Sequence, residues 1–413
     1  MMELKPYEYK KSVLQQKITE MKKDSYDVQI LSTVHEITQV SNEWVDFLGK
    51  DAIGYNFWQD PGIICKKLQY AGQGEPRIIL VRRNSKIECI APCVIHKTRF
   101  KLNFSVFRFP GPQIRILKII DNNFIFSKDA DLDGCIKTAI EAIKSIDSHF
   151  DLIKIESLEK SSPLGDFFFK AASHSYKHFQ LKTTSPKNEQ IWRHVFEDSY
   201  EKWLSTLGYS TRRSIKRGIQ NLHKQYPDQV KLLVARHNKD IPKFLDLLDV
   251  LYPKTWQAKT FGFSKRNNKQ DISFYQYIAD QGWLRSYMLL IDSRPVAFFI
   301  GTQYNDIFEG QEIGYDKEFS SIGVGSILNN IIINDLYNNN KPSILNFGFG
   351  ENVYKQILCN NSSDATEAYI IQSNIWRHLV KLQILLSSIE NRTRSILIRY
   401  RIDTILRKIL KRK

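Results

Sequence analysis

The sequence predicts an α/β (α+β) protein built from two tandem domains, each a mixed and mostly antiparallel sheet flanked by helices, followed by a C-terminal basic helix. Three observations carry this reading. The chain has 413 residues, more than the usual domain of about 100–200. Hairpin signals occur twice, at 77–96 and 283–304, each followed by a helix-like stretch and a short apolar strand. Residues 374–413 alternate apolar and basic positions at helical spacing. A composition of 42% hydrophobic, 25% charged and 12% aromatic residues excludes a disordered, collagen-like or coiled-coil chain.

Taken in order, Met1 to Lys23 mixes Lys and Glu without an apolar stretch, and no run of about 18 apolar residues follows anywhere. Residues 1–24 are therefore read as an extension, and neither a standard export signal nor a membrane span is expected. The first domain is assigned to 25–181. In it, the runs 77–82 and 87–96 flank Arg83-Asn84-Ser85 as a hairpin, Gly134 to Ile146 reads as a helix, and Asp151–Glu156 as a strand. The polar stretch Lys182 to Gln190 is the linker candidate. In the second domain, 182–374, strands at 283–291 and 296–304 flank Asp292-Ser293-Arg294-Pro295. A helix from Gly325 to Tyr337 and a strand at Ser343–Phe347 follow. From Gly134 to Gly325 is 191 residues and from Leu152 to Ile344 is 192, which reads as an internal duplication.

The charge is uneven. Sixty Lys+Arg against 44 Asp+Glu give +16, but eleven basic and two acidic residues in 374–413 account for +9 of it. The body is only mildly basic, so nucleic acid is not the expected partner, and the tail 375–413 is the segment that could contact an anionic membrane. Five scattered cysteines suit a reduced cytoplasm, with the protein either free or at the inner membrane face. No HExxH motif or His/Cys pairing implies a metal, and no GxSxG elbow is present.

The segment Ile307 to Lys355 carries the chemistry. A strand, Ile307–Tyr315, enters the loop Asp316–Ile322 and delivers Gly323-Val324-Gly325-Ser326 into an apolar helix. Free backbone N–H groups and a helix dipole there suit a phosphate or pyrophosphate, so Ile322, Gly323, Val324, Gly325 and Ser326 are the cofactor-binding candidates. It is neither a Walker loop nor a GxGxxG fingerprint. The matching loop of the first half, Lys128-Asp129-Ala130-Asp131-Leu132-Asp133-Gly134, holds three carboxylates that would repel such an anion.

This order resembles the coenzyme A site of the GNAT acyltransferase superfamily. Within it the chain looks like the double-domain CelD/BcsL-type acetyltransferases of cellulose and exopolysaccharide biosynthesis, which are related to the Fem aminoacyltransferases. The residues concerned are Ser210-Thr211-Arg212-Arg213-Ser214-Ile215-Lys216-Arg217, the loop segment Ile313-Gly314-Tyr315-Asp316 to Leu328, and Asn346-Phe347-Gly348-Phe349-Gly350 to Lys355. Ser320 stands where the superfamily usually has Arg or Gln, and Asn346 where the family usually has Asp.

The resemblance implies tandem GNAT-like domains, the first degenerate, with acetyl-CoA or another acyl-CoA as co-substrate and no metal. Its pantetheine arm would lie between the strands around Glu309–Tyr315 and Ile344–Phe347. An amine acceptor needs a base, and Glu309 or Glu312 could supply it. Three apart in a strand, the two are expected on opposite faces, so only one can serve, with Glu312 favoured. Tyr354 is the expected acid for the departing thiolate; the plain alternative is a buried structural tyrosine. Arg212, Arg213, Lys216 and Arg217, with Trp256 and Lys355, are the candidates for an anionic acceptor such as a nucleotide-sugar, lipid phosphate or acidic saccharide. A solvated charged face is the plain alternative. The function expected is N-acylation of an amino sugar or similar amine in polysaccharide or cell-envelope biosynthesis. The alternatives are a Fem-like transferase fed by aminoacyl-tRNA, or a non-catalytic binder of anionic lipid or nucleic acid.

Overall fold

Two hairpin turns frame the structure, a computed structural model. Asn84 and Ser85 hold φ of 51° and 64°, and Asp292 and Ser293 hold 49° and 61°. Positive φ at both central residues makes type I′ turns, whose twist matches that of the paired strands, and Asn, Asp and Ser tolerate the conformation. Described residues are 26–399, apart from 51, 70–73, 105–106, 146–149, 174–178, 183–188, 263–264 and 372–373. The extension 1–24 and most of the linker candidate lie outside them. The chain divides into two compact units: Met1–Leu158, Ser162–Thr184 and Glu367–Lys413 in one, and Glu159–Ser161 with Ser185–Thr366 in the other.

The first unit orders its strands β1 (Asp27–Leu31), β2 (Glu75–Arg83), β3 (Lys86–Phe104), β4 (Phe107–Ile119) and β5 (Leu152–Glu159). Pairing is antiparallel as far as β4, and β5 then runs parallel to β4 from Ile116↔Leu152. Helices α1 (Val34–Lys50) and α2 (Pro61–Leu68) cover one face through Ile37, Trp44 and Ile64. On the other face lie α3 (Leu132–Ser145) and α4 (Pro163–Ser173). The apolar stripe read from the sequence, Ile136, Ala139, Ile140 and Ile143, is the buried one.

The second unit opens with β6 (Glu189–Val195), α5 (Tyr200–Thr206), α6 (Tyr209–Gln225) and β7 (Val230–Ala235). Helices α7 (Ile241–Leu251), α8 (Trp256–Phe261) and α9 (Lys269–Asp280) precede β8 (Ser286–Ile291), β9 (Arg294–Tyr304) and β10 (Ile307–Tyr315). Then come α10 (Val324–Asn338), β11 (Ile344–Phe349), α11 (Val353–Leu358) and β12 (Asn361–Ile371), and from Glu367 the chain, with α12 (Asn374–Arg399), belongs to the first unit. Strand order is β7-β8-β9-β10-β11-β6, antiparallel except for β10 with β11, and Asn361–Ala365 of β12 pairs with β6. The two halves thus repeat one pattern: antiparallel strands, a helix, then a parallel strand. Leu132 to Val324 and Leu152 to Ile344 both span 192 residues. The expected basic tail is α12 as far as Arg399, and it packs in the first unit, with Trp376 5.9 Å from Phe100.

Helix α10 is tied to the sheet by a buried ionic network. The Arg285 guanidinium donates to Asp335 Oδ2, the Tyr287 hydroxyl and Gln303 Oε1, each at 2.7 Å, and Tyr287 also donates to Asp335. Burial would raise the Asp335 carboxyl, but the Arg285 and Tyr287 hydrogen bonds overcome this and hold it below its usual 3.8. Its stabilisation is therefore complete above the ordinary carboxylate range and lost as pH falls through the depressed value. Asp335→Ala leaves Arg285 buried without its counter-ion. A loss of about 3–5 kcal/mol is expected in urea unfolding, whereas a loss under about 1 kcal/mol would show that the network does not hold the helix.

Candidate functional site

The loop between β10 and α10 is wound by its own backbone. Asp316 caps a short turn at Lys317–Phe319, and the Ile322 and Gly323 N–H groups donate to Phe319 O and Ser320 O, both at 3.2 Å. Gly323 then adopts the left-handed φ of 77°, with nothing within 4 Å of where a Cβ would lie, and no side chain caps the helix behind it. Of the five expected cofactor residues, Ile322 and Gly323 thus use their amides internally. Val324, Gly325 and Ser326 keep theirs, which no helix can satisfy from within. A cleft of about 460 Å³ lies against this loop, lined by Ile322, Ser321 and Phe319 from the loop and Gly218, Asn221 and Gln225 from α6.

At the corresponding place in the first unit, the start of α3 is already occupied. Asp131 Oδ1 accepts from Gly134 N at 3.1 Å, and a Cβ on Gly134 would fall 2.2 Å from Asp131 Oδ2. An internal carboxylate takes the position of an anion there.

Strands β10 and β11 pair only from Ile307↔Ile344 to Glu309↔Asn346, and then part. On one side Phe347 bulges out of the β11–β6 register and the chain turns through Gly348 at φ 71°. On the other, Gln311 is the extra residue, because Gly301 faces Gly310 and Ile300 faces Glu312. This bulge overturns the expected alternation. Glu309 lies opposite Thr302 and Glu312 opposite Ile300, and those partners are two apart, so both carboxylates share one face. It is the face covered by the α7–α9 segment, where Tyr252 lies against Phe298; α10 packs on the other, among Phe299, Phe308 and Leu345.

The two carboxylates differ in their surroundings. Glu309 is 8% exposed and accepts from Asn346 Nδ2 at 3.0 and 3.3 Å. Burial pushes it from 4.5 up to about 7, against the Asn346 hydrogen bond and the charge of Arg193. That charge is largely claimed elsewhere, because both Arg193 terminal nitrogens donate to Glu159, at 3.0 and 2.6 Å. Glu312 instead pairs with Arg266 at 3.3 Å. A carboxyl that titrates near neutrality, without a tight counter-ion, can take up and return a proton, and Glu309 fits that description, whereas Glu312 has Arg266 as its counter-ion.

Tyr354 sits on the α10 face, 5.7 Å from Phe347, with burial and then the neighbouring Cys359 raising its hydroxyl to about 12. Lys355 is buried and donates to the Gly348 and Phe349 carbonyls at 3.2 and 2.9 Å, so its amine caps the diverging end of β11. This use explains its position without an acceptor. Arg212 donates to Ser205 O at 2.9 Å, while Arg213, Lys216 and Arg217 are exposed on α6, as is Trp256 on α8. Among the described residues, no hydrogen bond or ion pair joins this ridge to Glu309, Glu312 or Tyr354. Gln257, beside Trp256, donates to the Ile313 carbonyl on β10, and its own Oε1 is buried without a partner. Sequence reasoning missed Gln257 and the Arg193–Glu159 pair. Neither stands in a motif, and only the fold brings them to this strand.

Residues 209–356 match a family model described as an acetyltransferase (GNAT) domain. No curated protein matches the chain. Among solved structures, it resembles FemX at 10% identity and a TM-score of 0.55, over 86% of this chain and 99% of that one. A tandem GNAT protein from the clavulanic acid biosynthesis pathway is 8% identical, with a TM-score of 0.48 over 85% and 100% of the two chains. The C-terminal domain of a putative lysylphosphatidylglycerol synthetase from Agrobacterium fabrum is 10% identical, with a TM-score of 0.49 over 85% and 97%. At such identity the likeness to FemX shows a common fold, and the GNAT domain rests on the family match over residues 209–356.

The raised Glu309 carboxyl has a consequence for stability. Between its usual 4.5 and about 7, the unfolded chain ionises this group and the folded one does not, so stability falls as pH rises through that window. Glu309→Gln should remove about 3 kcal/mol of this pH dependence when urea midpoints at pH 5 and pH 8 are compared. Identical pH profiles for the two proteins would place the ionisation of Glu309 outside that range.

Proposed function

We propose that the second unit is an acyl-CoA-dependent N-acyltransferase, with acetyl-CoA as its natural donor. Its acceptor is read as an amino sugar or similar amine in polysaccharide or cell-envelope biosynthesis, as in the CelD/BcsL-type enzymes. The observation that carries the reading is the pairing of an uncapped helix start with a buried Glu309 at the point where β10 and β11 part.

The amides of Val324, Gly325 and Ser326 would hold the donor's pyrophosphate at the positive end of α10. A bound thioester supplies the activated acyl group. Glu309, from the α7–α9 face, accepts the proton that the amine loses as its nitrogen bonds to the acyl carbon, and Asn346 keeps the carboxylate oriented. Tyr354, from the α10 face, returns a proton to the departing sulfur. The two groups thus work from opposite sides of the gap between the strands. The exposed cations Arg213, Lys216 and Arg217 are left for an anionic part of the acceptor.

Isothermal titration of acetyl-CoA tests the donor. Micromolar binding to the wild type is expected, lost in Gly325→Asp while its far-UV circular dichroism stays unchanged. Glu309→Gln should retain that affinity and lose roughly 10²–10⁴-fold in kcat on an amine acceptor. A wild type that binds no acetyl-CoA overturns the donor assignment and moves the question to aminoacyl-tRNA.

A further inference from the structure

Helix α12 carries two apolar faces. The inner one seals the first unit: Trp376 and Val380 are buried with Ile114, Leu152 and Ile371, and Leu379 and Ile384 pack beside them. The outer one has no cover among the described residues. Ile375, Leu382, Leu385 and Ile389 are 73%, 40%, 56% and 43% exposed. Steps of seven, three and four residues place them on a single stripe along the helix. Scattered exposed leucines need no explanation, but a continuous stripe does.

The charges beside the stripe indicate what covers it. Lys381 and Arg392, four residues before and seven after Leu385, are exposed along its rim. The sequence from 374 to 413 carries +9. Two such segments would repel one another, which disfavours a second copy as the occupant. A nucleic acid would answer the charge and leave the leucines in water. An anionic lipid surface satisfies both, with apolar side chains below the headgroups and cations among the phosphates. No helix among the described residues is long and apolar enough to cross a membrane, so the contact is one of lying on the bilayer.

We propose that α12 binds the surface of an anionic phospholipid bilayer, with Ile375, Leu382, Leu385 and Ile389 inserted at the headgroup boundary and Lys381 and Arg392 on the lipid phosphates. This holds whatever acyl donor the second unit takes.

The test is co-flotation of the full chain with vesicles of phosphatidylcholine alone and of phosphatidylcholine mixed with phosphatidylglycerol. Binding should appear only on the phosphatidylglycerol vesicles and weaken with added salt. The double variant Leu382→Ser/Leu385→Ser should bind about tenfold more weakly, and Lys381→Glu severalfold more weakly. Because these side chains face outward, the thermal transitions should be unchanged. Absence of flotation, or flotation that the double variant retains, overturns the proposal. A concentration-dependent dimer abolished by the double variant overturns it as well and assigns the stripe to a second copy.

Discussion

The parallel ladder between β10 and β11 stops after three residue pairs, and the candidate site is what that stop leaves behind. Parallel strands in a packed sheet normally continue side by side, because each further residue pair satisfies two backbone groups. Here both strands carry a bulge just beyond the last pair, Gln311 on β10 and Phe347 on β11, and their twist is diverted away from each other. Glu309 occupies the last paired position. It is buried there beside a neutral Asn346 and an arginine already matched by Glu159. The raised carboxyl follows from this arrangement: desolvation is not repaid by a counter-ion.

The two halves of the chain form an internal control. They share the sequence of antiparallel strands, helix and parallel strand, with the helix starts and the parallel strands each 192 residues apart, so backbone architecture alone does not distinguish them. Their helix starts do. Asp131 caps α3 from within, with Gly134 required for its close approach, whereas Gly323 leads into α10 with no side chain over the amides. One fold can therefore hold a capped helix terminus in one copy and an uncapped one in the other. A few side chains at a turn make the difference. The Arg285–Asp335 network ties the far end of α10 to the strands behind it.

The GNAT-type resemblance and the carboxylates at the start of the first unit's helix were legible because both reside in contiguous residues, whereas the Asp131 cap on the Gly134 amide came from the structure. The Gly323–Ser326 run and the carboxylates of 129–133 declare their local chemistry wherever the chain folds. The hairpins were legible for the same reason, since Asn84-Ser85 and Asp292-Ser293 carry their turn preference locally. The helix stripe Ile136 to Ile143 needed only its own period. Lys355 was read by its charge, yet its amine is engaged by two carbonyls that β11 exposes where it turns away.

The order of elements, the duplication and the glycine-led start of α10 could all be read from the residues, because each depends on neighbours a few positions apart. The shared face of Glu309 and Glu312 could not. A spacing of three implies opposite faces only if the strand is regular, and the irregularity at Gln311 is a relation between β10 and β9, where Gly301 faces Gly310 and Ile300 faces Glu312. The same holds for Asn346, Arg193, Glu159 and Gln257. They are separated by up to 187 residues and acquire a common role only when the sheet aligns them. Register and burial are properties of paired strands, and tertiary structure alone decides them.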